Sequence, residues 1–276
     1  MSITNLAKQY AKEVDERFSK ASQADLALNH SYKFNGVQTV SVYTLPVVPM
    51  EDYKREGTNR YGTPADLGNS VQELTVSRDR AFTFVIDKGD NTQSQMTSDA
   101  GRALARQLRE VCVPEYDTHV FSVMAKNAGG SDSTKATKSN AYELLLKGQE
   151  HLGNANVPDV GRVCFASYAF ANLLMQDPAF MKQAERSQEM VEKGILGEVD
   201  GVKLVKVPAS RLPAGCDFIL AHPLATVAPK QLESYKLHTD PPGISGWLCE
   251  GRLLYDAFVL ESKKNGIYYQ GAAVTE

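Results

Sequence analysis

The sequence contains few of the residues that build cross-linked or metal-binding proteins: its 276 residues include four cysteines, five histidines and one tryptophan. The cysteines are Cys112, Cys164, Cys216 and Cys249, and no two of them form a CxxC pair or stand beside a histidine. Structural zinc sites and disulfide frameworks need closely spaced ligands or a short secreted chain. The sequence therefore predicts reduced, buried thiols.

Long apolar runs and a charge of one sign are also missing. No stretch approaches the roughly twenty apolar residues of a membrane-spanning helix, and the N-terminal sequence MSITNLAKQYAKEVDERF lacks the apolar core of a signal peptide. The formal net charge of −3 excludes an overall basic field for sequence-specific nucleic-acid or anionic membrane binding. With 42% hydrophobic and 23% charged residues, the composition predicts a folded protein with a sizeable core, kept in a cytoplasm.

Recognisable catalytic or phosphate-binding motifs are absent. Gly194, Gly197 and Gly201 have the spacing GxxGxxxG, which differs from both common phosphate loops, and the alternating VKLVKV that follows favours turns instead. His119 lies two positions after Asp117 on a predicted helix, where residues two apart do not face each other. The other histidines are isolated: His30, His151, His222 and His238. We predict no catalytic, cofactor-binding or metal-binding residue.

A β-hairpin arm is predicted in the first third of the chain. GVQTVSVYTL (36–45) and VQELTVSRDRAFTFVID (71–87) are rich in β-branched and aromatic residues, which favour strands. The polar segment 46–70 between them is longer than ordinary loops, and such loops usually bind a partner or move. Before it, Leu6, Tyr10, Val14 and Phe18 recur at helical spacing, so we expect an amphipathic helix that packs on its own chain or on a neighbour.

A long helix is predicted next. Ala100, Leu104 and Leu108 fall at helical spacing, and the apolar stripe continues beyond Pro114, which lacks an amide hydrogen and is expected to kink the helix. The glycine pair at 129–130 is expected to end it.

The rest of the chain mixes helices and strands in irregular order. This order predicts an α+β fold and excludes a regularly alternating doubly wound sheet. The predicted helices are 141–152, the segment that follows strand 162–166, 181–193 and 223–235; the predicted strands are 216–223, 251–264 and 266–274.

Three segments carry a resemblance to a known family. They are DRAFTFVIDKGDNTQSQ (79–95), FASYAFANLLMQDPAF (165–180) and GILGEVDGVKLVKVPASRLPAGCDFILAHPLA (194–225). In their order and spacing they resemble the major capsid protein of tailed double-stranded DNA bacteriophages, whose fold is shared with herpesvirus shells and bacterial encapsulins. The resemblance extends over nearly the whole chain.

The resemblance implies a tailed-phage capsid-protein fold with a defined division of the chain. The implied parts are an N-terminal arm (1–34), an extended hairpin loop with its flanking strands (35–86), a peripheral domain with a long spine helix (87–138), an axial domain (139–230) and a return to the peripheral domain (231–276). The glycines at 194, 197 and 201 are then expected to shape a turn in the axial domain.

The implied function is structural: self-assembly through pentamers and hexamers into an icosahedral shell around the phage genome. Other copies of the chain, a separate scaffolding protein, a portal, a decoration protein and non-specifically contacted double-stranded DNA are the implied partners. The implied location is the virion, after assembly in the host cytoplasm. No membrane and no cofactor take part, and the chain is not expected to be an enzyme.

Charged residues of the predicted hairpin are the candidates for contacts between subunits, because electrostatics sets register and specificity at such contacts. They are Asp52, Lys54, Arg55, Glu56 and Arg60. Two alternatives remain open: an encapsulin-like shell around a cargo enzyme, and a soluble enzyme whose site is assembled from residues distant in sequence, for example around His222 or Cys164.

Overall fold

The structure is a computed structural model and describes residues 22–32, 39–44, 47–64, 68, 70–87, 100–177, 180 and 195–273. The predicted N-terminal helix and the predicted helix 181–193 lie outside the described residues. The chain divides into two compact units, a hairpin unit of residues 34–75 and a larger unit of residues 1–33 and 76–276.

The described helices and strands have the following bounds. The α-helices are α1 (Ala100–Gln107), α2 (Val113–Lys126), α3 (Ala141–Asn154) and α4 (Tyr168–Gln176). The strands are β1 (Thr39–Thr44), β2 (Ser70–Thr75), β3 (Arg78–Asp87), β4 (Gly130–Asp132), β5 (Val163–Ser167), β6 (Ile195–Val199), β7 (Val202–Val207), β8 (Cys216–Ala221), β9 (Thr226–Val227), β10 (Lys230–Thr239), β11 (Gly246–Tyr255), β12 (Phe258–Val259) and β13 (Ile267–Gly271).

The hairpin unit confirms the predicted β-hairpin. Strands β1 and β2 pair antiparallel from Thr39 opposite Thr75 to Thr44 opposite Ser70. The hydroxyls of Thr39 and Thr75 share a hydrogen bond of 2.9 Å at the open end of the ladder. The extended run 71–87 is divided into two strands, since β3 pairs with β11 in the larger unit.

A six-stranded sheet divides the core of the larger unit into two apolar clusters. Its strand order is β4-β13-β8-β5-β7-β6, with β5 parallel to β7 and β13 parallel to β4. Because side chains alternate between the faces of a strand, Val163 and Phe165 join the cluster that contains α2, whereas Cys164 and Ala166 join the cluster with α3 and α4. Strand β5 is buried along its whole length.

A three-stranded antiparallel sheet, β10-β11-β3, is the second-largest sheet among the described residues of the larger unit. Gly251 in β11 faces Phe82 in β3 across this ladder. A Cβ atom at Gly251 would lie 2.3 Å from the Phe82 ring, so the close approach of the ring requires glycine.

The prediction of a helix over 223–235 is wrong. Residues Thr226–Val227 form β9, and β10 begins at Lys230 and pairs with β11 over its full length. Thr226 and Val227 are β-branched, which disfavours a helix, and Pro229 has no amide hydrogen to donate to a helical backbone hydrogen bond. Antiparallel pairing with β11, the next strand along the chain, therefore overrides the apolar spacing that favoured a helix.

The predicted long helix is present, but its irregularity lies before the proline. Residues Leu108–Cys112 form a π-helical turn between α1 and α2, in which the Val113 amide donates to the Leu108 carbonyl. Pro114 then lies in the first turn of α2, directly after the wider turn, so the helix continues past the proline. The kink predicted at Pro114 is thus replaced by a wider turn just upstream.

The predicted strand 251–264 is wrong in its second half, because β11 ends at Tyr255 and Glu261–Gly266 form a 3-10 helix. Several other local predictions are confirmed. Helix α3, strand β5 with the helix α4 that follows it, and strand β8 lie where the sequence predicts them. Asp200 and Gly201 both have positive φ angles and form the turn of the β6–β7 hairpin, as an Asp-Gly pair favours. Gly197 lies at a register shift in the same hairpin, while Gly194 lies outside the described residues.

Candidate assembly surfaces

The segment between β1 and β2 is ordered by its own backbone contacts. The Lys54 amide donates to the Arg60 carbonyl at 3.0 Å, and the Gly62 amide donates to the Asn59 carbonyl at 3.0 Å. Asn59 and Gly57 have positive φ angles, 58° and 88°, which tighten the turn. The described part of the loop, residues 47–64, therefore contains a turn that is held by its own backbone hydrogen bonds.

The five charged residues predicted to contact other subunits all lie on this loop, and all five are exposed. The Arg60 Nε atom donates to the Gly57 carbonyl at 3.2 Å, which fixes that side chain against its own turn. Within the described residues, no ion pair holds Asp52, Lys54, Arg55 or Glu56. The structure does not test their role, and it leaves these charges on the surface of the loop.

Exposed apolar side chains on the same loop were not singled out from the sequence. Met50 is 100% exposed, Val47 93% and Tyr61 90%, while Val48 and Tyr53 are about half exposed. The rings of Tyr53 and Tyr61 meet edge to face at 5.1 Å. Several exposed apolar side chains within one loop favour an interaction site. In the sequence, the run PVVPM and the tyrosines Tyr53 and Tyr61 are the apolar residues of an otherwise polar segment, and this contrast could have indicated a contact surface.

A buried hydrogen-bonded carboxylate joins β11, α2 and the residues before β3 in the larger unit. Asp256 accepts from the His119 ring at 2.8 Å and the Ala257 amide at 2.8 Å, and from the Ser77 amide and hydroxyl at 2.9 and 2.8 Å. Burial alone would raise the pKa of Asp256, but these hydrogen bonds, first of all that from His119, lower it to about 2. The cluster acts as a structural tie.

Acid should weaken this tie. A carboxyl whose pKa is lowered from 3.8 to about 2 on folding stabilises the fold above pH 4, by about 2 kcal/mol, and loses that contribution as the pH falls through 2. We expect Asp256→Asn to cost about that much at pH 7 and to flatten the pH dependence of unfolding between pH 4 and 2. Urea unfolding of the wild-type chain and of Asp256→Asn at several pH values measures the free energy of unfolding. Asp79→Asn, which removes one partner of an exposed ion pair with Arg252, is the control. If Asp256→Asn and Asp79→Asn showed the same acid dependence, Asp256 would not be the source of the effect.

The candidates for chemistry are separated in the structure. Asp117 and His119 bind different partners, since Asp117 accepts from Ser22 and Arg211 whereas His119 contacts Asp256. The His222 ring contacts the Val160 carbonyl at 3.1 Å and accepts from the Leu224 amide, and burial lowers the pKa of His222. These contacts give both histidines structural roles.

Among the described residues, no disulfide joins any of the four cysteines. Burial raises the pKa of Cys164 and Cys216, and it raises that of Cys112 to about 11, so all three thiols stay protonated at neutral pH. Among the described residues, no group of three potential metal ligands comes together. The described helices are too short or too polar to cross a membrane.

Comparisons with known proteins identify the architecture. No protein-family model and no curated protein sequence matches the chain. A solved structure from Mycobacterium phage Che8 is 20% identical, covers 90% of this chain and 89% of its own, and has a TM-score of 0.72. The mature capsid of bacteriophage PhiM1 is 14% identical over 85% of this chain and 82% of its own, with a TM-score of 0.62.

A shell from outside the phages has the same architecture. The virus-like particle from Pyrococcus furiosus is 9% identical, covers 96% of this chain and 99% of its own, and has a TM-score of 0.58. At such low identity, agreement over almost the whole length of each chain demonstrates a common fold. The chain has the α+β capsid-protein fold of tailed bacteriophages.

Proposed function

We propose that the chain is a structural, non-enzymatic major capsid protein that assembles through pentamers and hexamers into an icosahedral shell around a phage genome. The observation that carries the proposal is the structural agreement with phage capsids over most of the chain, for example 90% of its residues with the capsid of cyanophage P-SCSP1u at a TM-score of 0.66. Shell formation requires self-association, and the remaining arguments concern the surface that performs it.

The hairpin unit has the properties of a subunit contact. Its loop carries fully exposed apolar side chains, led by Met50 and Tyr61, whose burial would reward association. The charged residues Asp52, Lys54, Arg55, Glu56 and Arg60 on the same loop would set register and orientation. A loop that binds a different surface of the next copy makes a head-to-tail contact, and such contacts form a ring when the rotation from copy to copy closes.

The roles of the parts of the chain in the shell are those that the resemblance to phage capsid proteins implies. The N-terminal arm (1–34) and the extended hairpin (35–86) would contact neighbours, and the peripheral parts (87–138 and 231–276) would carry the spine helix. The axial domain (139–230) would meet its copies around fivefold and sixfold axes. A scaffolding protein, a portal and a decoration protein would be the partners during assembly in the host cytoplasm, and DNA would be contacted without sequence preference.

An encapsulin-like cargo shell is the second candidate. It is favoured by the agreement with the Pyrococcus furiosus virus-like particle, which covers 99% of that chain. The two functions share the shell and differ in the contents, so purified particles distinguish them: packaged DNA supports the phage capsid, and a packaged protein supports the cargo shell.

Electron microscopy and analytical sedimentation of the purified chain, alone and with a co-expressed candidate scaffold, test shell formation. We expect icosahedral particles or ring-shaped capsomers that sediment far ahead of the monomer. A compact monomer or dimer under every condition would overturn the proposal. A ligand-dependent stability shift of that small species would then favour the enzyme alternative.

A further inference from the structure

Residues 22–32, here called the strap, are held to the larger unit by polar contacts with distant parts of the chain. The Ser22 hydroxyl and the Gln23 amide donate to the two carboxylate oxygens of Asp117 in α2, at 2.6 and 3.2 Å. The Gln23 side-chain amide donates to the Lys206 carbonyl in β7 at 2.8 Å. The strap thus connects the long helix with the six-stranded sheet.

The other end of the strap contacts β9 and β10. The Asn29 amide donates to the Thr226 carbonyl at 2.7 Å, and Lys230 forms a 2.5 Å ion pair with Asp25. Both charged side chains of this pair are 13% exposed. Charge-assisted bonds of this kind, at low exposure, hold the strap in one position.

Asp117 depends on the strap for most of its hydrogen bonds. Its side chain is fully buried, and it accepts from Ser22, Gln23 and the Ala24 amide on the strap. Arg211, at 3.0 Å, is the donor from outside the strap. Burial outweighs these bonds and raises the pKa of Asp117. The closed strap therefore keeps a carboxylate where its charge is incompletely compensated.

Two further polar atoms near the closed strap are buried without a partner among the described residues. They are Oδ1 of Asp25 and Oγ1 of Thr226, whose carbonyl binds the strap. An unsatisfied buried polar atom costs free energy that water would return if the atom were exposed. When the strap is packed on the larger unit, Oδ1 of Asp25 is buried without a partner and this lowers the stability of the packed state. Opening of the strap would expose this atom to water and remove the unfavourable free energy.

Apolar anchoring of the strap is weak. Its buried apolar side chains are those of Ala24, Ala27 and Leu28, which join the cluster around α2, while Leu26 is 42% exposed. Alanine buries little area, so the hydrophobic gain is much smaller than that of a core strand such as β5. Segments with few buried apolar contacts open at lower free energy than the core.

We propose that the strap opens as a local unit while α2 and the six-stranded sheet stay folded, with Asp117 as the latch. Opening returns the carboxylates of Asp25 and Asp117 to water, and Arg211 continues to pair with Asp117. It also uncovers the flank of α2 that Ala24, Ala27 and Leu28 cover. Opening of the strap is a property of the single chain that does not depend on shell formation.

Hydrogen exchange of the full-length, unassembled chain, followed by mass spectrometry, tests the proposal. We expect amides of residues 22–32 to exchange at least about tenfold faster than those of α2. Ser22→Ala removes one hydrogen bond to the latch and should speed strap exchange about fivefold, without changing exchange in α2. Ser139→Ala, at an exposed hydroxyl outside the strap, should change neither.

Thr226→Val provides the opposite test. It removes the unpartnered hydroxyl at nearly constant shape, so it should slow strap exchange severalfold if that buried atom favours opening. The proposal is overturned if the strap and α2 exchange at the same rate in the wild-type chain. It is also overturned if Ser22→Ala speeds both equally, or if Thr226→Val leaves strap exchange unchanged or faster.

Discussion

Replacing Met50 and Tyr61 together by serine is expected to abolish particle assembly at concentrations where the wild-type chain assembles. Both side chains are almost completely exposed on the hairpin loop, so their truncation removes apolar surface without opening a cavity in the larger unit. Central apolar anchors of an interface contribute about 2 kcal/mol or more. Losing both anchors should therefore raise the concentration required for assembly on the order of 1,000-fold.

A matched variant separates apolar contact from disturbance of the loop. Met50→Leu with Tyr61→Phe keeps the apolar surface and the ring that packs edge to face on Tyr53. It should assemble at close to the wild-type concentration. Sedimentation measures the particle fraction, and circular dichroism checks that each chain is folded. Normal assembly of the serine variant would show that these residues are not subunit contacts.

The charged residues of the loop should affect assembly differently. Exposed charges change association rates and their salt dependence more than the final affinity. A chain with Lys54 and Arg55 replaced by alanine should therefore assemble more slowly at low salt, with a smaller effect at high salt. Light scattering at two ionic strengths measures this, and salt-independent loss of assembly would rule out a steering role.

Phe165→Ala is expected to destabilise the larger unit by about 3–5 kcal/mol. Phe165 is fully buried in the middle of β5, and its ring lies 4.9 Å from that of Phe121 in α2. The truncation leaves a cavity between the helix and the sheet, where neighbours on both sides are held by backbone pairing and cannot collapse into it. Urea unfolding of the unassembled chain measures the loss.

Phe165→Leu is the matched control for the core. It keeps most of the apolar volume and should cost less than half as much as the alanine variant, on the order of 1–1.5 kcal/mol. A loss below about 1 kcal/mol for Phe165→Ala would mean that the interface between α2 and the sheet is loosely packed. Such a result would contradict the close contact of the two rings.

The sequence predicted elements whose patterns are local. The turn at Asp200–Gly201 follows from a residue pair that accepts positive φ angles. Helix α3 follows from apolar spacing, and β5 with α4 follows from a buried run that changes period, with Ser167 capping the helix through the Phe170 amide. Each of these depends on neighbours within a few residues, so reading along the chain was sufficient.

The sequence singled out the charged residues of the candidate contact surface but not its apolar residues. Charged residues such as Arg55 stand out in a long polar segment, and they are exposed as expected. The exposure of Met50 and Tyr61 could not be predicted with the same ease, because an apolar residue in a loop can either pack onto a core or stay exposed to solvent. Only the course of the hairpin shows that they face solvent.

By itself, the sequence determined the α+β class, the hairpin and most local elements, because backbone propensity and side-chain period act over short distances. The tertiary structure decided whether residues 223–235 form a helix or strands, since β10 gains its hydrogen bonds from β11, which begins at Gly246, beyond the segment that the helical spacing covers. It also brought Asp117 to Ser22 and Arg211, residues from three separate parts of the chain. Burial and pairing of such groups depend on the path of the whole chain, which no local pattern contains.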